Sequence, residues 1–150
     1  MFERVLVAVD GSAHARKACT VAVDLAKRYG AKLFILSVAH EPSDRMREQL
    51  ERFMETERVQ RSLDDLVIEE SVQDVLAEAE TAARTAGVQD VETVGRVGHP
   101  AKRILEFAEM ARIDLIVMGT RGLGEVEGLI LGSVSHRVGA SAKCSCLMVR

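Results

Sequence analysis

Met118-Gly119-Thr120-Arg121-Gly122-Leu123-Gly124-Glu125-Val126-Glu127-Gly128-Leu129-Ile130-Leu131-Gly132-Ser133-Val134-Ser135 gathers five glycines into one stretch, directly after the apolar run Leu115-Ile116-Val117. The run reads as a strand buried on both faces. Gly132-Ser133-Val134-Ser135 reads as a helix start with a hydroxyl at the cap. A strand feeding a glycine-rich loop and then a helix is a common cradle for an anion. Glycines let backbone N–H groups approach oxygen atoms closely, and the helix N-terminus adds partial positive charge. Arg121, Ser133 and Ser135 add side-chain donors. A surface loop whose glycines merely turn the chain is the competing reading, and the surrounding sequence decides between them.

Downstream, the pattern predicts a short helix from Ser133 to about Ala140 and a last apolar strand, Cys146 to Val149. Upstream, Asp114 to Met118 is the fourth strand. The helix before it opens at Gly98-His99-Pro100, with Pro100 in the first turn, where a missing N–H costs nothing. Its inner face is Ile104, Leu105 and Ala108. Val88 to Val97 is a weaker third strand, with Val91 and Val94 as core candidates. Ile68, Val72, Val75, Leu76, Ala79, Ala82 and Ala83 form one helical stripe from Leu66 to a stop at Gly87. At the start of the chain, Arg4 to Val9 is a strand and Asp10-Gly11-Ser12 a turn with Ser12 as helix cap. The helix runs to Gly30, and Ala31 to Ala39 is the second strand, completing a βαβ unit. From His40 to about Asp65 the chain is highly charged and reads as a loop plus an exposed amphipathic helix, a lid or a partner surface. Five strands alternating with four main helical segments predict an α/β protein, an open parallel sheet with helices on both faces, in a single domain spanning residues 1–150.

The totals bound the function. At 150 residues, 47% hydrophobic and 29% charged, the composition is that of a globular domain. No apolar run is long enough to span a bilayer. The N-terminus lacks a signal peptide's basic start and cleavage site, so a cytoplasmic, non-membrane protein is expected. A net charge of −3, 3% aromatics and no Trp argue against a nucleic-acid surface. Cys19, Cys144 and Cys146 lack zinc-like spacing and read as reduced core thiols.

In a doubly wound sheet the ligand crevice lies beyond the strands' C-terminal ends, where the strand order reverses. Asp10-Gly11-Ser12 and the glycine-rich stretch both leave such ends. Asp10 would accept hydrogen bonds from ribose hydroxyls and the glycine loop would take phosphates, although Asp10 is also a common residue for closing a turn. Two standard phosphate signatures fail. No P-loop lysine lies between Arg103 and Lys143, and Gly122, Gly124 and Gly128 miss the dinucleotide fingerprint by one residue.

Gly119, two residues, Gly122, nine residues, then Gly132-Ser133 is instead the spacing of the ATP-binding branch of the universal stress protein family. The sequence resembles that family along essentially its whole length. Val9-Asp10-Gly11-Ser12, Ile113 through Gly122, Leu131 through Ser135, and Gly98-His99-Pro100-Ala101 all look like its motifs. The resemblance implies a Rossmann-like sheet of order 3-2-1-4-5 that binds ATP, ADP or AMP, with Mg²⁺, and dimerises through its last strand. Carried onto this chain, it puts Asp10 with Gly11 and Ser12 at the ribose or adenine side, with Asp10 reaching Mg²⁺ through water. Val38 would offer its backbone to adenine. Met118, Gly119, Arg121 and Gly122 would border phosphates and ribose, and Gly132, Ser133, Val134 and Ser135 would bind phosphates. The chain departs from the family's common residues at Ser37, where His is frequent, and at Ser145, where Pro is.

Hydrolysis needs a group to position water and charge to stabilise the phosphates. Glu125 and Glu127 lie in the loop, but no base is firmly placed, and His14, His40, His99 and His136 are scattered. The expectation is a nucleotide-dependent stress or signalling module with no catalytic residue assigned. Slow ATP hydrolysis or autophosphorylation on Thr120, Ser133 or Ser135 is one alternative. A nucleotide-independent dimeric scaffold that engages a protein partner through the charged segment is another.

Overall fold

The apolar runs pair as a parallel five-stranded sheet in a computed structural model that describes residues 1–123 and 131–150. The strands are β1 (Arg4–Ala8), β2 (Lys32–Ala39), β3 (Val91–Val97), β4 (Leu115–Gly119) and β5 (Ser145–Val149), in the order β3-β2-β1-β4-β5. Strand alternation divides the core into two layers. Val5, Val7, Leu33, Ile35, Leu115 and Val117 pack beneath α1 (Ala13–Tyr29) and the later helix α4 (Gln73–Thr85). Leu6, Phe34, Leu36, Ile116 and Met118 pack beneath α5 (Pro100–Met110) and α6 (Ser133–Ser141). Both faces are therefore covered, as a parallel sheet requires.

Local chemistry sets the main boundaries. The Ser12 hydroxyl caps α1 by accepting from the Ala15 N–H, and Gly30 ends it in the left-handed region at φ 65°. Pro100 stands in the first turn of α5. The two turns that lead into β2 and β3 close with N–H donations from Ala31 to the Ala26 carbonyl and from Val88 to the Ala83 carbonyl.

Four expectations need correction. The described residues contain six helices: α2 at Asp44–Thr56 is the exposed helix expected in the charged segment, beside the four main segments, and α3 at Leu63–Ser71 is additional. The stripe from Leu66 to Ala83 is not one helix but α3 and α4, joined at Val72, whose backbone leaves helical geometry at φ −128° and ψ −5°. The break lets α3 lie over β3 while α4 runs beside α1. Gly95 of β3 makes that approach possible, because a methyl group there would collide with Ile68 Cγ2. The third strand starts at Val91, not Val88: Val88 is buried but belongs to the turn after Gly87, itself at φ 100°. Last, α6 is not capped by a hydroxyl. Gly132 is its N-cap, with no side-chain cap bond.

No helix among the described residues is long and apolar enough to cross a membrane. β1 lies between β2 and β4, and the chain crosses from β3 over β1 to reach β4. The C-terminal ends of β1 and β4 thus flank the reversal of strand order.

Candidate functional site

A cavity of about 600 Å³ opens at that reversal, a size in the range of small-molecule sites. Asp10 enters from β1, Ser37, Val38 and His40 from the end of β2, and Ser71, Val72 and Val75 from the α3–α4 corner. Met118, Gly119, Arg121 and Gly122 come from β4 and the residues after it, and Gly132, Ser133, Val134 and Ser135 from the start of α6. Ten of the twelve residues named from sequence surround this one space. The other two do not line it. Ser12 is buried as the α1 cap, and Gly11, at φ 84°, holds the turn and faces a neighbouring cleft.

The wall at the end of β2 follows from ladder arithmetic. In a parallel strand, successive residues direct both backbone groups to opposite neighbours. The Leu36 carbonyl accepts from Val9 on the β1 side, and the Ala39 carbonyl accepts from Gly98 on the β3 side. Val38 therefore points its N–H and C=O toward β1, whose pairing has already ended at the Ala8–Leu36 pair. Neither group has a backbone partner among the described residues. An adjacent donor and acceptor thus meet the cavity. Ser37, 2% exposed, places a small hydroxyl beside them.

The opposite wall, at β4 and the start of α6, is held by the backbone of one residue. The Thr120 N–H donates to the Val149 carbonyl at 2.9 Å, while the Thr120 carbonyl accepts from the Gly132 N–H at 2.6 Å and the Ser135 hydroxyl at 2.9 Å. Ser135 donates also toward the Gly132 carbonyl, so its hydroxyl serves the loop. The first intrahelical bond of α6 starts at the His136 N–H. The N–H groups of Ser133, Val134 and Ser135 are left at the helix start with its partial positive charge. Arg121 Nε is buried with no acceptor among the described residues, a donor that a bound anion would satisfy. Gly119 is closely enclosed: a Cβ there would lie 2.8 Å from His14 Cβ.

Asp10 closes its own turn and reaches across the crevice. Its Oδ1 accepts from the Ser12 N–H at 2.9 Å, and its Oδ2 accepts from the Leu123 N–H at 3.1 Å. Both readings of Asp10, turn closure and cavity residue, describe the one side chain.

Sequence reasoning passed over Ser71 and Val72 as cavity residues, because Val72 fits a helical core stripe. The chemistry of Asp10 signalled the crevice, but nothing local marked the α3–α4 corner. No lining residue comes from 41–70, so α2 does not cover the cavity. Gly124, Glu125, Glu127 and Gly128 lie outside the described residues. Burial pushes the thiols of Cys19, Cys144 and Cys146 above the usual range, with Glu78 a lesser cause at Cys19. Cys19 is buried, whereas Cys144 and Cys146 are only half-buried.

A doubly wound sheet with its cavity at the strand reversal, bordered by Gly119, Gly122 and a helix N-terminus, defines a Rossmann-like α/β domain. The chain belongs to the universal stress protein family, whose model matches residues 1–150. It is 40% identical over 150 residues, all of both chains, to the universal stress protein in the QAH/OAS sulfhydrylase 3′ region of Thermus aquaticus. Among solved structures, it resembles the universal stress protein UspA from Lactobacillus plantarum with a TM-score of 0.78 and 25% identity, covering 99% of this chain and 98% of that one. It also resembles a universal stress protein in complex with cAMP, with a TM-score of 0.74 and 28% identity, covering 99% and 97%.

Proposed function

We propose that this universal stress protein binds an adenine nucleotide (ATP, ADP or AMP, with Mg²⁺) and acts as a nucleotide-dependent stress or signalling module. The observation that carries the reading is the free Val38 N–H and C=O pair at one end of a cavity whose other end offers Arg121 and the uncapped start of α6. Adenine presents an adjacent acceptor and donor on its base-pairing edge, which such a backbone pair matches. The phosphate end supplies N–H groups, a helix dipole and a guanidinium. Mg²⁺ commonly arrives with phosphates and few protein ligands, and Asp10 is the cavity carboxylate suited to hold its water shell. The relative crystallised with cAMP supports the ligand class.

The output is conformation or partner choice rather than turnover. We further assign β5, the exposed sheet edge next to the phosphate loop, as the homodimer strand. Calorimetry with ATP, ADP, AMP and cAMP, each with and without Mg²⁺, tests the ligand reading. Absence of binding to all four would sink it. Mass spectrometry of ligand released from the freshly purified protein identifies the preferred nucleotide.

A further inference from the structure

Asp10 borders the cavity, yet the protein itself engages its carboxylate. Oδ1 takes the Ser12 N–H, and Oδ2 takes the Leu123 N–H from 113 residues away. Gly122 is pressed against the same oxygen: a Cβ at that position would overlap Asp10 Oδ2. The carboxylate therefore tethers the first residues of the glycine-rich stretch to the β1 turn.

We propose that Asp10 is a positioning residue for the phosphate end of the cavity. Its charge holds Gly122 and Leu123, and with them Arg121, in place. Its loss then weakens phosphate binding whether or not the ligand carries ribose hydroxyls. This rests on the nucleotide reading above. An N–H donated to a carboxylate is stronger than one donated to a neutral oxygen. Asn at position 10 keeps an oxygen for Ser12 but turns an NH₂ group toward the Leu123 N–H, donor against donor. Without the tether, binding must supply the ordering of the segment.

The test compares ATP with 2′,3′-dideoxy-ATP by calorimetry in EDTA, where Asp10 has no Mg²⁺ to serve, for wild type and Asp10→Asn. Amide exchange at Leu123 is followed by NMR in the absence of nucleotide. The tether predicts equal weakening for both nucleotides, on the order of tenfold, together with faster exchange at Leu123. A loss confined to ATP would assign Asp10 to ribose recognition and overturn the proposal, as would unchanged exchange at Leu123. Gly122→Ala provides a second route, since its methyl displaces the carboxylate. Adding Asp10→Ala to it is expected to cause no further loss, and full additivity would overturn the tether. Wild-type protein that binds neither nucleotide defeats the nucleotide reading instead, and the Leu123 exchange still decides the tether.

Discussion

The two edges of the sheet are finished in opposite ways. On β3, residues 91, 93, 95 and 97 direct their backbone groups outward, because Asp90 already serves β2 through the Leu33 N–H. Three of those outward carbonyls are taken by arginines: Val91 by Arg84 at 3.0 Å, Gly95 by Arg96 at 2.8 Å and Val97 by Arg103 at 2.8 Å. On β5, the Val149 carbonyl serves Thr120, so Cys146 and Met148 point their backbone groups outward. There the sole described side-chain contact to a carbonyl just before the strand is the weak one from the Cys146 thiol to Cys144 at 3.8 Å. An unpaired strand edge is a template for another strand unless charge or a side chain blocks it. Among the described residues, one edge is thus closed by guanidinium groups, and the other, beside Thr120, is left open.

The largest break in this contrast comes from Leu147→Lys. Leu147 is 37% exposed on β5, so the change is mild for a single chain. In a symmetric strand pair it brings like charges together, and the dimer dissociation constant is expected to rise about a hundredfold. Light scattering across a dilution series measures it, and wild-type protein that is monomeric at high concentration removes the open-edge assignment. The next effect falls on the closed edge. Gly95→Ala pushes Ile68 off β3 and is expected to cost about 2 kcal/mol of stability, an overpacking penalty. Denaturant melts check it, with Ile68→Ala in the same chain restoring most of the loss.

These contrasts also show what a sequence exposes. Ser12, Gly30 and Pro100 act within one turn of where they stand, so both ends of α1 and the start of α5 were legible from residue chemistry alone. Strand runs were legible because both faces of a parallel sheet want Val, Leu and Ile. The break at Val72 was hidden, since the apolar spacing runs straight through it and only the sheet beneath demands two helices. The Val38 pair was legible only through the family resemblance, because it depends on β1 ending before β2 does, which no local pattern shows. The Asp10–Leu123 bond joins positions that no local pattern relates, and the arginines of β3 are drawn from α4, β3 and α5. Side-chain identity thus marked where the cavity is, while pairing register determined which of its groups are free.

A smaller change sharpens the closed edge without moving the core. Arg84→Ala with Arg96→Ala uncovers the Val91 and Gly95 carbonyls while leaving Arg103 beside Gly98, where its Nε fills the space a Cβ would take. The variant is expected to stay folded and to form species larger than a dimer, in a fraction that grows with concentration. Sedimentation velocity reads this directly. A distribution identical to wild type means that the arginines serve packing alone, with Arg96 lying over the Phe107 ring at 5.5 Å.

The smallest expected effect is chemical, and it separates the thiols by their place in the sheet. Desolvation raises all three, so the folded chain favours the protonated form. The sign follows: their contribution to stability is fully present below about pH 8.5, the ordinary thiol value, and is lost as pH climbs through the raised folded values. Thiolate is the reactive form, so alkylation by iodoacetamide is expected to be slow at pH 7 and to accelerate above pH 9. Cys19, on the buried face of α1, reacts last at any pH. Cys146 belongs to the open edge, and a second β5 would cover it. Its labelling is therefore expected to be faster in Leu147→Lys than in wild type at the same pH, while Cys19 keeps its rate. Equal Cys146 rates in the two proteins, read by peptide mass spectrometry, would leave that edge uncovered in solution and break the contrast between β3 and β5 at its open end.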